Sequence, residues 1–179
     1  NRHLSARVRV FVDWLIELGA AGLFAVALSS EMYDLSTDEQ TRIAERVALR
    51  AAGRVPVVAS AVASGDATRQ AARVGEIAAT GVDGVVLISS LVAPPEATDR
   101  SWRANVERII ETNPTVDLGI YECPLPFKRL LPTDTVADGQ IAVTCNFSLL
   151  AIGARLCFSL GVGNTSPSVA ARALGAGTN

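Results

Sequence analysis

The 179-residue chain predicts an α/β fold built on a parallel sheet, and three observations carry that prediction. Continuous apolar runs begin at Leu23, Val55, Val85 and Leu118, at spacings of 32, 30 and 33 residues. Each interval holds one amphipathic helix, the pattern of strand–helix–strand units with right-handed crossovers. No GxGxxG follows a strand and no GxxxxGK[ST] is present, so the phosphate-binding turns of nucleotide-binding open sheets are missing. A closed (β/α)8 barrel is therefore favoured over an open doubly wound sheet, although the repeat alone admits both.

The elements follow in order. Residues 6–18 place Val8, Phe11, Val12, Leu15 and Leu18 on one helical face, and Gly19 supplies a C-terminal stop. The run Leu23–Leu28 reads as a strand covered on both faces. Ser36 and Glu39 have capping-box spacing, so a helix begins near Thr37 and carries Ile43, Val47 and Ala51 inward. Val55–Ala59 is the next strand, with Pro56 at its entrance, where a missing N–H is tolerated. A helix over roughly 67–80 buries Ala71, Val74 and Ala78. The strand Val85–Ile88 follows, and Pro94-Pro95 forces a loop. Trp102, Val106, Ile109 and Ile110 mark the inner face of a fourth helix, which ends at Asn113-Pro114. Beyond the strand at Leu118, residues 132–138 resemble a helix opening that does not develop. The run Ile141–Phe147 reads as a strand and 148–160 as an apolar helix. One domain is expected over 1–160, incomplete as a barrel, and residues 161–179, rich in Gly, Ser, Thr and Ala, are expected to be a loosely held tail.

Composition narrows the chemistry. Hydrophobic residues at 49% and charged residues at 19% describe an ordinary globular chain. A net charge of −2 argues against nucleic acid as a partner, and the arginines are spread over helix faces rather than gathered in a patch. No apolar run approaches the ~18 residues of a membrane span, and no secretory leader is visible, so a cytoplasmic protein is expected. Cys123, Cys145 and Cys157 are odd in number without a CxxC spacing, and read as reduced thiols. With His3 as the only histidine, neither a metal site nor a cofactor is expected.

A chain with one histidine, one lysine (Lys128) and two tyrosines (Tyr33 and Tyr121) has few acid–base side chains to use. The stretch Asp117–Pro124 delivers Tyr121 to the carboxyl end of a strand that a proline then stops. On spacing alone Tyr121 also reads as a half-buried core aromatic with a satisfied hydroxyl.

Three segments resemble the dihydrodipicolinate synthase / N-acetylneuraminate lyase family of pyruvate-dependent class I aldolases. Gly22–Glu31, followed by Leu35–Glu39, is similar to that family's strand–GTTGE–xxxLTxEE segment. Gly53–Ala59 resembles its GRVPVIAG strand, and Ile120–Pro124 its YNxP strand. Asp138 through Phe147 resembles its last barrel strand. The resemblance implies an eight-stranded barrel with its site at the carboxyl ends of the strands. It further implies a lysine on the sixth strand that forms a Schiff base with a 2-keto acid such as pyruvate. By the same resemblance Tyr121 is the proton shuttle, Ser29 and Ser30 contact the substrate carboxylate, and the protein is a homo-oligomer.

The chain departs from that pattern at several positions. Leu28 stands at the first threonine of GTTGE and Ser30 at its glycine. Ser89–Val92 replaces a TPYY loop and so brings no phenol, and Pro126 replaces an arginine. Lys128 follows Tyr121 by seven positions instead of lying on the next strand, and reads as a solvated lysine. Strands corresponding to barrel positions one, six and seven are not found, which suggests ordered pieces of a longer protein, with a naturally shortened relative as the alternative. The expected function is a lyase or aldolase acting on a 2-keto acid. The alternatives are a catalytically silent relative that binds a small carboxylate or serves as an assembly subunit, and an unrelated parallel domain in which Tyr121 is only core.

Overall fold

The structure is a computed structural model and describes residues 2–123, 125–131 and 142–144. The sequence-predicted helix over 148–160 and the tail over 161–179 lie outside these residues, as do 132–141.

Helix α1 (Arg2–Glu17) leads into β1 (Leu23–Ala25) and a 3-10 turn at Leu28–Ser30. Then come α2 (Thr37–Ala51), β2 (Val57–Ala61), α3 (Ala67–Ala78), β3 (Gly84–Ile88), the short α4 (Ser89–Val92), α5 (Asp99–Thr112), β4 (Leu118–Tyr121) and β5 (Ala142–Thr144). The five strands pair in chain order, every neighbour parallel. A parallel sheet in which α2, α3 and α5 each follow one strand and precede the next is the repeat expected from the strand spacings.

Local signals set the boundaries. Ser36 accepts from the Glu39 amide while the Glu39 carboxylate accepts from the Ser36 amide at 2.9 Å, a completed capping box. Asp66 and Thr98 cap α3 and α5 from one side only, each side chain accepting from the amide three residues on. Pro56 sits one residue before β2, where its carbonyl accepts from the Leu23 amide, and Asp83 Oδ2 takes the Val57 amide at 2.7 Å.

The register assigns the two faces of the sheet. Phe24, Val58 and Gly84 are paired across three strands, as are Val86 with Gly119 and Ile88 with Tyr121. Because alternate residues share a face, these residues line one side and Leu23, Val57, Ala59, Val85, Leu87 and Ile120 line the other. The second set meets the helices and is nearly inaccessible, with Trp102, Val106, Ile109, Val74 and Ile77 against it. On the first side the rings of Phe24 and Tyr121 lie 6.1 Å apart and edge to face. Three strand spacings on a flat sheet would hold upright side chains roughly 14 Å apart. The sheet therefore curls toward this side, as a barrel wall does. Gly84 suits the close approach there: a Cβ would come 3.2 Å from the Asp117 carbonyl and 3.4 Å from Val58, tighter than most side-chain contacts.

Two expectations change. β1 is only three residues long, because Val26 takes φ 54° and turns the chain out of the sheet. A buried β-branched residue in the left-handed region costs on the order of 1–3 kcal/mol and marks a deliberate bend. Helix α1 turns Val12 inward, with Val8, Leu15 and Ile16 beside it, while Phe11 and Leu18 are exposed. Its apolar stripe is wider than the face that α2 covers, and Phe11 stacks on Trp14 outside.

Candidate functional site

Tyr121 occupies the last paired position of β4, between Ile88 on β3 and Thr144 on β5. It is 5% exposed. Burial foremost, and then the neighbouring Cys123 sulphur, pushes its phenol up to about 12. At neutral pH it is a protonated donor held at the carboxyl edge of the sheet, on the same face as Phe24.

A second phenol comes to the same place from the loop after β1. Tyr33 donates to the Leu125 carbonyl at 2.6 Å and contacts Cys123 Sγ at 3.8 Å. Ser90, at the start of α4, donates to the same Leu125 carbonyl at 3.1 Å. Burial, and next the Cys123 sulphur, holds the Tyr33 phenol above the usual tyrosine range. Cys123 itself is fully buried. The loop carrying Tyr33 is held from beneath. Gln40 Nε2 donates to the carbonyls of Met32 and Leu35 at 2.9 and 3.1 Å, and Gln40 Oε1 accepts from the buried Arg73 at 3.1 Å.

The residues expected from sequence are distributed differently. Ser29 and Ser30 sit in the 3-10 turn beyond β1, both exposed, and Ser30 Oγ donates to the Ala27 carbonyl at 2.8 Å. Glu31 is exposed, with φ 55°, and its backbone closes the turn onto Leu28. Lys128 is exposed in the loop after β4. Its neighbour Arg129 turns inward and donates to the carbonyls of Pro94 and Ala97 and to Asp99, which anchors that loop to the start of α5. Glu122, where the resembled pattern has asparagine, accepts from the Leu131 amide at 2.7 Å.

Sequence reading gives no role to Tyr33, Ser90 or Cys123. The available signal was the scarcity of phenols: one of only two tyrosines follows the polar Ser29–Glu31 turn by two residues. Ser60, on the inner face of β2, is a further residue it passes over. Its hydroxyl is buried without a hydrogen-bond partner among the described residues. A shallow cavity of about 430 Å³ lined by Thr37, Asp38, Thr41, Arg42 and Glu76 lies on α2 and α3 and shares no residue with the Tyr121 cluster. Among the described residues no group of three His, Cys, Asp or Glu side chains is placed to hold a metal ion. Nor is any described helix long and apolar enough to cross a membrane.

The profile of the dihydrodipicolinate synthetase family matches residues 4–126. The chain is 33% identical to the 4-hydroxy-tetrahydrodipicolinate synthase of Brucella suis over 117 residues, covering 65% of this chain and 38% of that enzyme. It is 31% identical to a probable 5-dehydro-4-deoxyglucarate dehydratase of Xanthomonas campestris over 137 residues, covering 75% of this chain and 41% of that protein. The chain thus spans about two fifths of the length of these relatives. In fold it is similar to the dihydrodipicolinate synthase of Bacillus anthracis, with a TM-score of 0.68 at 22% identity over 79% of this chain and 49% of that one. The chloride-inhibited dihydrodipicolinate synthase of Acinetobacter baumannii, solved with pyruvate, gives 0.67 at 20% identity over the same shares. The curled parallel sheet, the profile match over most of the chain and these relatives agree, and the chain belongs to the dihydrodipicolinate synthetase family.

Proposed function

We propose that this chain carries the tyrosine-bearing part of a carbon–carbon lyase of the class I aldolase type, acting on pyruvate or a similar 2-keto acid. The observation that carries the reading is the buried, protonated Tyr121 at the carboxyl edge of a curled parallel sheet, where family sites are expected. In this reading Tyr121 moves the proton during enamine formation, and Ser29 and Ser30 meet the keto-acid carboxylate, Ser30 by exchanging the bonds that its hydroxyl and amide make to the Ala27 carbonyl. The electrophile is a Schiff base formed on a lysine, which is nucleophilic when desolvated. A cytoplasmic, homo-oligomeric protein goes with this assignment, as does one domain over 1–160.

One observation favours a second reading, that of a catalytically silent relative which binds a small carboxylate. The strand beside Tyr121 carries Ala142, Val143 and Thr144, with Thr144 in register with the phenol and no lysine among the three. Lys128, the chain's single lysine, lies in a loop and is exposed. Incubation with pyruvate and borohydride, followed by peptide mass mapping, separates the two. A reduced pyruvyl adduct on lysine supports the lyase. Stabilisation by pyruvate without an adduct supports the silent binder, and neither response overturns both.

A further inference from the structure

We propose that Tyr33 is a positioning residue for Tyr121, acting through the Cys123 thiol, so that the chain supplies the second phenol of its own site. The loop after β3, Ser89–Val92, contains no phenol. The loop after β1 brings one instead, and the contact closes over 92 residues of sequence.

The geometry fixes what Tyr33 does. Its hydroxyl meets the Leu125 carbonyl at 2.6 Å and the Cys123 sulphur at 3.8 Å, and Ser90 meets the same carbonyl at 3.1 Å. The segments after β1, β3 and β4 therefore meet at one carbonyl, and the hydroxyl that reaches it also reaches the thiol. Cys123 is fully buried and Tyr121 5% exposed, whereas Tyr33 is 37% exposed. The partly exposed Tyr33 thus meets a buried thiol two residues beyond the working phenol, and that sulphur also holds the Tyr121 proton. The titratable groups in this cluster are Tyr33, Cys123 and Tyr121, with the Glu122 carboxylate directed instead to the Leu131 amide. While Tyr33 donates to the sulphur, less of the sulphur's accepting capacity is left for Tyr121. Removing the Tyr33 hydroxyl leaves Tyr121 as the donor and holds its proton more tightly.

The proposal rests on reading Tyr121 as the working phenol, and its test keeps the two apart. The chain has two tyrosines, so replacing both with a fluorinated tyrosine gives two 19F signals, and a more acidic phenol titrates below the pH at which the fold is lost. The Tyr121 midpoint is then followed in the unsubstituted chain, in Tyr33→Phe, in Cys123→Ala and in the double variant. Expected are a rise in Tyr33→Phe, a fall in Cys123→Ala, and the Cys123→Ala value in the double variant, because the coupling runs through the thiol. A Tyr121 midpoint unmoved by Tyr33→Phe overturns the proposal, and so does a Tyr33→Phe rise that persists when Cys123 is alanine. Pyruvate is titrated separately into the unsubstituted chain. A silent Tyr121 signal there, with the coupling present, overturns the keto-acid reading and leaves Tyr33's role supported.

Discussion

The loops that leave β1 and β4 both stand at the carboxyl end of the sheet, and they are held by opposite means. After β1 the turn itself is shaped locally, and Tyr33 beyond it reaches the loop after β4. Val26 turns it out of the strand, a 3-10 turn closes on its own carbonyls, and a capping box starts α2 within six residues. After β4 the described residues of the loop, 122–123 and 125–131, form no helix or strand, and partners far away in sequence fix them. Its Leu125 carbonyl receives Tyr33 and Ser90, and its Arg129 reaches Pro94, Ala97 and Asp99. The difference teaches where the chemistry can be precise. The first loop presents exposed hydroxyls on a self-sufficient turn, whereas the second is a wall whose position depends on three other segments.

The comparison can be broken most severely from below. Trp102 is 1% exposed and donates from Nε1 to the Ser89 carbonyl at 2.9 Å, beneath the loop after β3. Trp102→Ala is expected to cost about 3–5 kcal/mol in urea denaturation, and to release Ser90 and the loop after β4 along with α5. Removing the anchor of the second loop is the next largest change. Arg129→Ala removes the guanidinium donor to the Ala97 carbonyl and the ion pair to Asp99, while the Pro94 carbonyl keeps the Ala97 amide, and is expected to cost about 1–3 kcal/mol, with accelerated amide exchange over 125–131 and none over 28–33.

Alkaline pH tests the cluster between the loops. The Tyr121 phenol titrates higher in the folded chain than the ordinary value of 10, so its contribution is complete below pH 10 and lost as pH rises through about 12. Stability is expected to fall by on the order of 2 kcal/mol over that window, and by less in Tyr121→Phe, measured by denaturation at fixed pH. Tyr33 shifts in the same direction. The smallest effect belongs to the first loop. Ser36→Ala removes a cap worth about 1 kcal/mol, and is expected to lower the thermal midpoint without altering exchange in the loop after β4.

The same contrast accounts for what could be read from sequence. The parallel repeat, the capping box at Ser36 and Glu39, the helix faces at Val74 and Val106 and the position of Tyr121 all depend on neighbours within a few residues or on periodicity, and these were legible. The short β1 was not, because an apolar run through Leu28 hides the left-handed Val26. The α1 face was misjudged because Phe11 and Leu18 continue an apolar stripe past the part that another helix covers. Tyr33, Ser90 and Cys123 went unassigned because their meeting depends on contacts 35 to 92 residues apart, which no local pattern encodes. Ser29 and Ser30 were placed by resemblance, and they stand exposed on the 3-10 turn at the carboxyl end of β1.

The central claim is that the carboxyl edge around Tyr121 is a keto-acid site. The most direct measurement is backbone amide NMR of the chain during a pyruvate titration. The account predicts saturable shifts confined to residues 28–33, 88–92 and 121–127, lost in Tyr121→Phe while the rest of the spectrum is unchanged. Shifts centred on the outer surface of α2 and α3, or no saturable shift at all, would contradict it.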